Sequence, residues 1–96
     1  MFIVSLEYVV DPDAVEPYRM AHMAWVRQGF ERGVFIASGR KSPPSGGIIL
    51  ARAASRERLT TWLDEDPFIV AGVAQYHVEE FLPTTVGDGF EVLKGI

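Results

Sequence analysis

From residue 2 to residue 10 the side chains alternate, with Phe2, Val4, Leu6, Tyr8 and Val10 on one face and Ile3, Ser5, Glu7 and Val9 on the other. That period of two predicts a strand with one fully apolar face and one mixed face. Asp11-Pro12-Asp13 breaks it, and Asp13 with Glu16 three positions on has the spacing of a capping box. Pro17 suits a first helical turn. Tyr18, His22, Trp25, Val26 and Phe30 then recur at helical spacing through Arg32, and Gly33 supplies the stop.

Val34-Phe35-Ile36-Ala37 is apolar without alternation, as is Ile48-Ile49-Leu50-Ala51. Both predict strands covered on two faces. Between them Ser38 to Gly47 holds Gly39, Pro43, Pro44, Gly46 and Gly47, which predicts a loop. Ser55 is a natural N-cap for a second helix that presents Leu59, Trp62 and Leu63 on one face. After Asp66-Pro67 and the small apolar segment Phe68 to Ala74, a last strand is predicted over Gln75 to Leu82, closed by Pro83.

The order β-α-β-β-α-β predicts an α+β, ferredoxin-like fold, a four-stranded antiparallel sheet with two helices on one face. Its other face would be bare in a monomer although the second and third strands are apolar on both sides. Sheet-to-sheet homodimerisation is the simplest cover.

Composition agrees with that surplus. The chain has 96 residues, of which 48% are hydrophobic, too many for one core of that size to hide. One domain spanning residues 1–96 is expected, with its core in 2–83. Residues 84–96, which include Val86, Phe90, Val92, Leu93 and Ile96, form an extension that would pack on the partner. A net charge of −4 argues against a nucleic-acid partner. No apolar run is long enough for a membrane span. Without cysteine there is neither a disulfide framework nor a thiolate nucleophile. The first residues lack the basic segment of a signal peptide, so a cytoplasmic location is expected.

Two histidines are too few for a histidine-based metal site, and no phosphate loop or dinucleotide fingerprint is present, so neither metal nor cofactor is expected. His22 stands out because its helical stripe points inward, with Arg19 on the adjoining part of that stripe. A core histidine bonded to backbone is the plain reading. Asp64-Glu65-Asp66 supplies the other one. Three carboxylates at the negative end of a helix require compensation. Asp66 is either a cap for the turn at Pro67, a salt-bridge partner of Arg19, or a carboxylate that reaches His22 and fixes its tautomer for general-base work. Ser38 and Gly39 offer a hydroxyl and an N–H to a ligand or simply make a tight turn. Phe68 walls a pocket or packs in the core. Trp25 and Trp62 match core spacing, and His77, beside Gln75 and Glu79, belongs on the sheet face turned to partner or solvent.

Taken together, Arg19-x-x-His22-x-x-Trp25, Gly33, Ser38-Gly39, Gly46-Gly47 and Asp66-Pro67-Phe68 followed by Gly72 resemble the YCII-related (YciI-like) family over about residues 2 to 83. The resemblance implies a dimeric α+β barrel in which two ferredoxin-like sheets face each other. It also implies an active site made of a His and Asp pair, carried over onto His22 and Asp66, with the arginine of the same helix carried over onto Arg19. Where the family often has proline after the Ser-Gly turn, this chain has Arg40, with Lys41 beside it. These either add positive charge at the cleft mouth or are solvated.

The function expected is that of a small cofactor-independent enzyme. His22, held by Asp66, moves a proton in a small organic acid, lactone or halogenated ring compound, while Arg19 holds an anionic oxygen. Ser38, Gly39 and Phe68 complete the binding site. Activities in the family include removal of chloride from a chlorinated aromatic intermediate, and similar barrels elsewhere host isomerisation and cofactor-free oxygenation. Two rivals stand beside this reading: a non-catalytic dimeric module that binds or senses a small molecule, and a cofactor-free monooxygenase.

Overall fold

A computed structural model describes residues 1–96. Four strands, β1 (Phe2–Tyr8), β2 (Phe35–Arg40), β3 (Gly46–Ala51) and β4 (Ala74–Glu80), form one antiparallel sheet in the order β2-β3-β1-β4. Two longer helices, α2 (Arg19–Glu31) and α3 (Arg56–Leu63), make the crossovers, and two single-turn helices, α1 (Pro12–Val15) and α4 (Pro67–Val70), precede α2 and β4. This is the α+β, ferredoxin-like arrangement.

The alternation of β1 survives in three dimensions. Phe2, Val4 and Leu6 are buried beneath the helices, while Ile3, Ser5 and Glu7 face the other side. Their neighbours in register, Ile49 and Ala51 on β3 and Val78 on β4, continue the same layer. Against it pack Trp25 and Val26 of α2, Leu59 and Leu63 of α3, and Phe35. A smaller cluster of Val15, Phe68, Val73 and Ala74 lies beside Tyr8 at one end. Only 19 of 96 residues are buried, against 48% hydrophobic residues in the chain. Much of the difference sits on the outer sheet face, at Ile3, Ile48 and Leu50, and in the C-terminal segment, where Phe90 and Val92 are exposed.

Several local expectations are corrected. β1 ends at Tyr8, leaving Val9 and Val10 exposed, and β4 spans Ala74–Glu80 rather than Gln75 to Leu82. Asp13 is not a cap: Asp11 precedes α1 and its side chain bonds no N–H, while Glu16 accepts from Arg19. Tyr18 and Phe30, at the two ends of the α2 stripe, are 40% and 41% exposed, because the sheet below covers only the middle of the helix. The segment Phe68 to Ala74 begins with a helical turn, α4. The expected loop from Ser38 to Gly47 is confined to residues 41–45, and its two ends are ladder, since Ser38 pairs with Ile49, Gly39 with Ile48 and Arg40 with Gly47. The side-chain-free pair Gly46-Gly47 permits that extension. A Cβ on Gly46 would lie 1.9 Å from the Leu6 carbonyl oxygen. Ser55 caps α3 as expected, its hydroxyl accepting from the Arg58 N–H at 3.1 Å.

β2 also contains a bulge. Phe35 pairs with Ala51 and Ala37 with Leu50, so Ile36 is an extra residue on that strand. The apolar run without alternation at 34–37 is the trace of this irregularity. Before the bulge Phe35 points under the helices; after it, Ser38 and Arg40 share that face of the sheet, both exposed at its uncovered end, where a regular strand would have sent Ala37 and Gly39.

Gly29 lies where α2 crosses β2. A Cβ there would sit 2.3 Å from Cδ2 of Phe35, a ring wedged against Trp25. Gly29→Ala is therefore expected to lose ~1–3 kcal/mol of stability despite its better helix propensity, because overpacking outweighs the backbone gain. Urea unfolding checks this, and an unchanged midpoint would show that the ring moves aside freely.

Candidate active site

The site is built at the seam between the two hydrophobic clusters. His22 sits one turn into α2, on the side facing α4, and its ring stacks on Phe68 with centroids 3.9 Å apart and planes 8° from parallel. Trp25 lies on its other flank at 5.8 Å. These contacts leave the side chain 12% exposed.

Asp66 ends the connection from α3. Pro67 at the first position of α4 makes Asp66 its N-cap, and Oδ1 accepts the Phe68 N–H at 2.9 Å. The same Oδ1 accepts from His22 Nδ1 at 2.8 Å. Capping and holding the histidine are thus one geometry, not alternatives. A carboxylate oxygen only accepts, so the hydrogen lies on Nδ1 and Nε2 keeps its lone pair. Asp66 is fully buried, and its Oδ2 has no hydrogen-bond partner. The imidazole is therefore the one opposite charge available to the carboxylate once the ring takes a proton.

The rest of the acidic triplet is settled elsewhere. Asp64 accepts from the Tyr76 hydroxyl at 2.7 Å, and burial, with Asp64 adding to it, pushes that phenol up to about 12. Glu65 is exposed. Arg19 does not pair with Asp66; its Nε donates to Glu16 at 2.8 Å, one helical turn back. That hydrogen bond, helped by the neighbouring Tyr8 hydroxyl, raises the guanidinium above its ordinary value and holds it charged.

A cavity of about 340 Å³ opens beside the histidine, within the range of small-molecule sites. Leu6, Met23, Val26, Ile49 and Phe68 give it apolar walls. Tyr8, Arg19, His22, Ser38 and Arg40 are its polar and charged lining, and Gly39, Gly46 and Gly47 give it a floor of backbone at the β2-β3 hairpin. Every candidate except Asp66 therefore lines one cavity, and Asp66 stands directly behind His22. Tyr8 joins the site from the inner face of β1, a position its alternation predicts without marking it as functional. Arg40 reaches the cavity only because of the bulge. Lys41 and His77 are not in the lining; His77 pairs with Ser5 in register and lies on the outer sheet face. Nowhere do three His, Asp or Glu side chains gather closely enough to hold a metal ion.

No helix is long and apolar enough to cross a membrane. Among curated proteins none matches the chain in sequence. Among solved structures, the fold is similar to that of 5-chloro-2-hydroxyhydroquinone dehydrochlorinase (TftG) from Burkholderia phenoliruptrix AC1100, in complex with 2,5-dihydroxybenzoquinone. The TM-score is 0.70 at 16% identity, over 86% of this chain and 95% of that one. The model of the YCII-related domain matches residues 1–82, which hold the whole sheet and both crossover helices. By that match, the chain belongs to the YCII-related domain family.

Proposed function

We propose that the protein is a small acid–base enzyme acting on a small cyclic organic molecule, with elimination of a hydrogen halide as its reaction class. The observation that carries the reading is the 2.8 Å bond that His22 Nδ1 donates to a buried carboxylate, on the wall of an open cavity. Nε2 takes a proton from substrate, while Asp66 fixes the ring's orientation and opposes the charge it gains. Arg19 holds the oxygen on which negative charge develops. In an elimination the carbon–halogen bond breaks with its electron pair going to the halide. The proton lost and the halide together make HX, so no oxidant or reductant is required.

The family membership and the dehydrochlorinase fold of the structural neighbour support elimination over the two rivals, a purely binding module and a cofactor-free oxygenase. We further place the working unit as a homodimer joined through the outer sheet face, whose half-buried Ile3, Ile48 and Leu50 lack a covering layer. The test is chloride release from 5-chloro-2-hydroxyhydroquinone and a panel of chlorinated phenols, lactones and ring carboxylic acids, read by ion chromatography alongside oxygen uptake. Halide release without oxygen uptake is expected for at least one compound. Oxygen uptake coupled to turnover would transfer the protein to the oxygenase reading, and an inert panel that still binds would favour the binding module.

A further inference from the structure

The charge inside the cavity is opposite to that of the chain. Although the protein carries a net charge of −4, two arginines and no carboxylate line the cavity. Arg19 is committed through Nε to Glu16, which leaves its terminal nitrogens free. Arg40 is different. The two ion pairs in the chain are Arg19–Glu16 and His22–Asp66, so its guanidinium has no acidic partner.

Its position is also built rather than incidental. The extra residue at Ile36 turns Arg40 to the inner face, opposite Gly47 in register. Gly47 has no side chain to occupy the space under it. Leu6, one strand further on and paired with Gly47, continues the same face as apolar wall. A charged fork with all five donors unclaimed, set against apolar surface, matches a planar carboxylate bound through two parallel hydrogen bonds.

We propose that Arg40 is a specificity-determining residue that selects substrates bearing a carboxylate, held at the hairpin end of the cavity while the reacting ring lies against His22 and Phe68. The substrate class is then a small cyclic or aromatic carboxylic acid rather than a neutral phenol. This rests on the acid–base site proposed above, since it places the second anchor of the same ligand. A bidentate charge-assisted contact of this kind is worth ~10–100-fold in affinity.

The test is calorimetric titration of the whole protein with 3-hydroxybenzoate and its neutral isostere 3-hydroxybenzamide, using wild type, Arg40→Gln and His22→Asn. Two-dimensional NMR of the His22 ring reports whether the probe enters this cavity. The carboxylate is expected to bind ~10–100-fold more tightly than the amide, shifting the His22 signals. Arg40→Gln should remove that preference while leaving amide binding and melting temperature unchanged. Equal affinity for the two probes, no binding of the carboxylate, or an unchanged preference in Arg40→Gln overturns the assignment. The two proposals separate cleanly. If a neutral halogenated phenol is turned over through His22 while 3-hydroxybenzoate fails to bind, the acid–base reading stands and the carboxylate anchor falls. If 3-hydroxybenzoate binds through Arg40 but no substrate loses turnover in His22→Asn, the reverse holds.

Discussion

His22→Asn is expected to lower kcat by ~10²–10⁴-fold, the usual contribution of a positioned general base, while the protein stays folded. Asparagine is the informative replacement because its side-chain amide can occupy the place of Nδ1 and still donate to Asp66 Oδ1. What it lacks is the far nitrogen, Nε2, and the ring that stacks on Phe68 at 3.9 Å. His22→Ala removes both ends. It leaves Asp66, fully buried, without its histidine donor, and should cost a further ~1–3 kcal/mol of stability. Turnover of any active substrate, measured with melting temperature for both variants, separates chemistry from folding. A His22→Asn protein that retains full activity removes His22 from the reaction.

Asp66 carries the second large effect, and here activity and stability are expected to part company between two variants. Oδ1 accepts from both Phe68 N–H and His22 Nδ1, so alanine deletes the cap of α4 and the anchor of the ring together. The expected loss is ~2–3 kcal/mol, from a cap worth about 1 and the desolvated donors left behind. For a domain of this size that corresponds to a fall of roughly 10–20 °C in Tm. Asp66→Asn keeps an oxygen where Oδ1 was, and with it the cap. It loses the charge that opposes the imidazolium and puts an NH₂ group where Oδ2 now lies without a partner. Its turnover should fall by ~10²–10⁴-fold, as for the histidine variants, with a smaller drop in Tm than alanine causes. An Asp66→Asn enzyme that remains fully active would reduce Asp66 to a helix cap.

The readings offered for Asp66 from sequence illustrate how local chemistry is legible and pairing is not. The Asp-Pro step announces a cap, and the inward stripe through His22 announces a polar group needing a partner. Both turned out to be true of one oxygen atom. Excluding Arg19 as the partner required the structure, in which Glu16, three residues earlier in the turn that leads into α2, takes its Nε. A short-range ion pair at i, i+3 wins over a contact across 47 residues of chain unless the fold brings the two ends together. The role of Gly29 is hidden in the sequence for a related reason: it is set by the Phe35 ring, which arrives from the next element.

The strands show the same division. In β1 the side-chain period is regular, so its inner face, Phe2, Val4, Leu6 and Tyr8, was readable directly. In β2 four consecutive apolar residues hid the bulge at Ile36. One added residue exchanges the two faces of everything that follows it, so the inward turn of Ser38 and Arg40 could not be counted out from composition or spacing. Hydrophobic periodicity, caps and breakers determined the element order, the α+β class and the inward stripe that carries His22. These depend on residues a few positions apart. Which oxygen meets which nitrogen, and which arginine enters the cavity, was decided only by tertiary structure. Those contacts depend on register between strands and on crossings between elements far apart in the chain, where a single-residue slip reverses the answer.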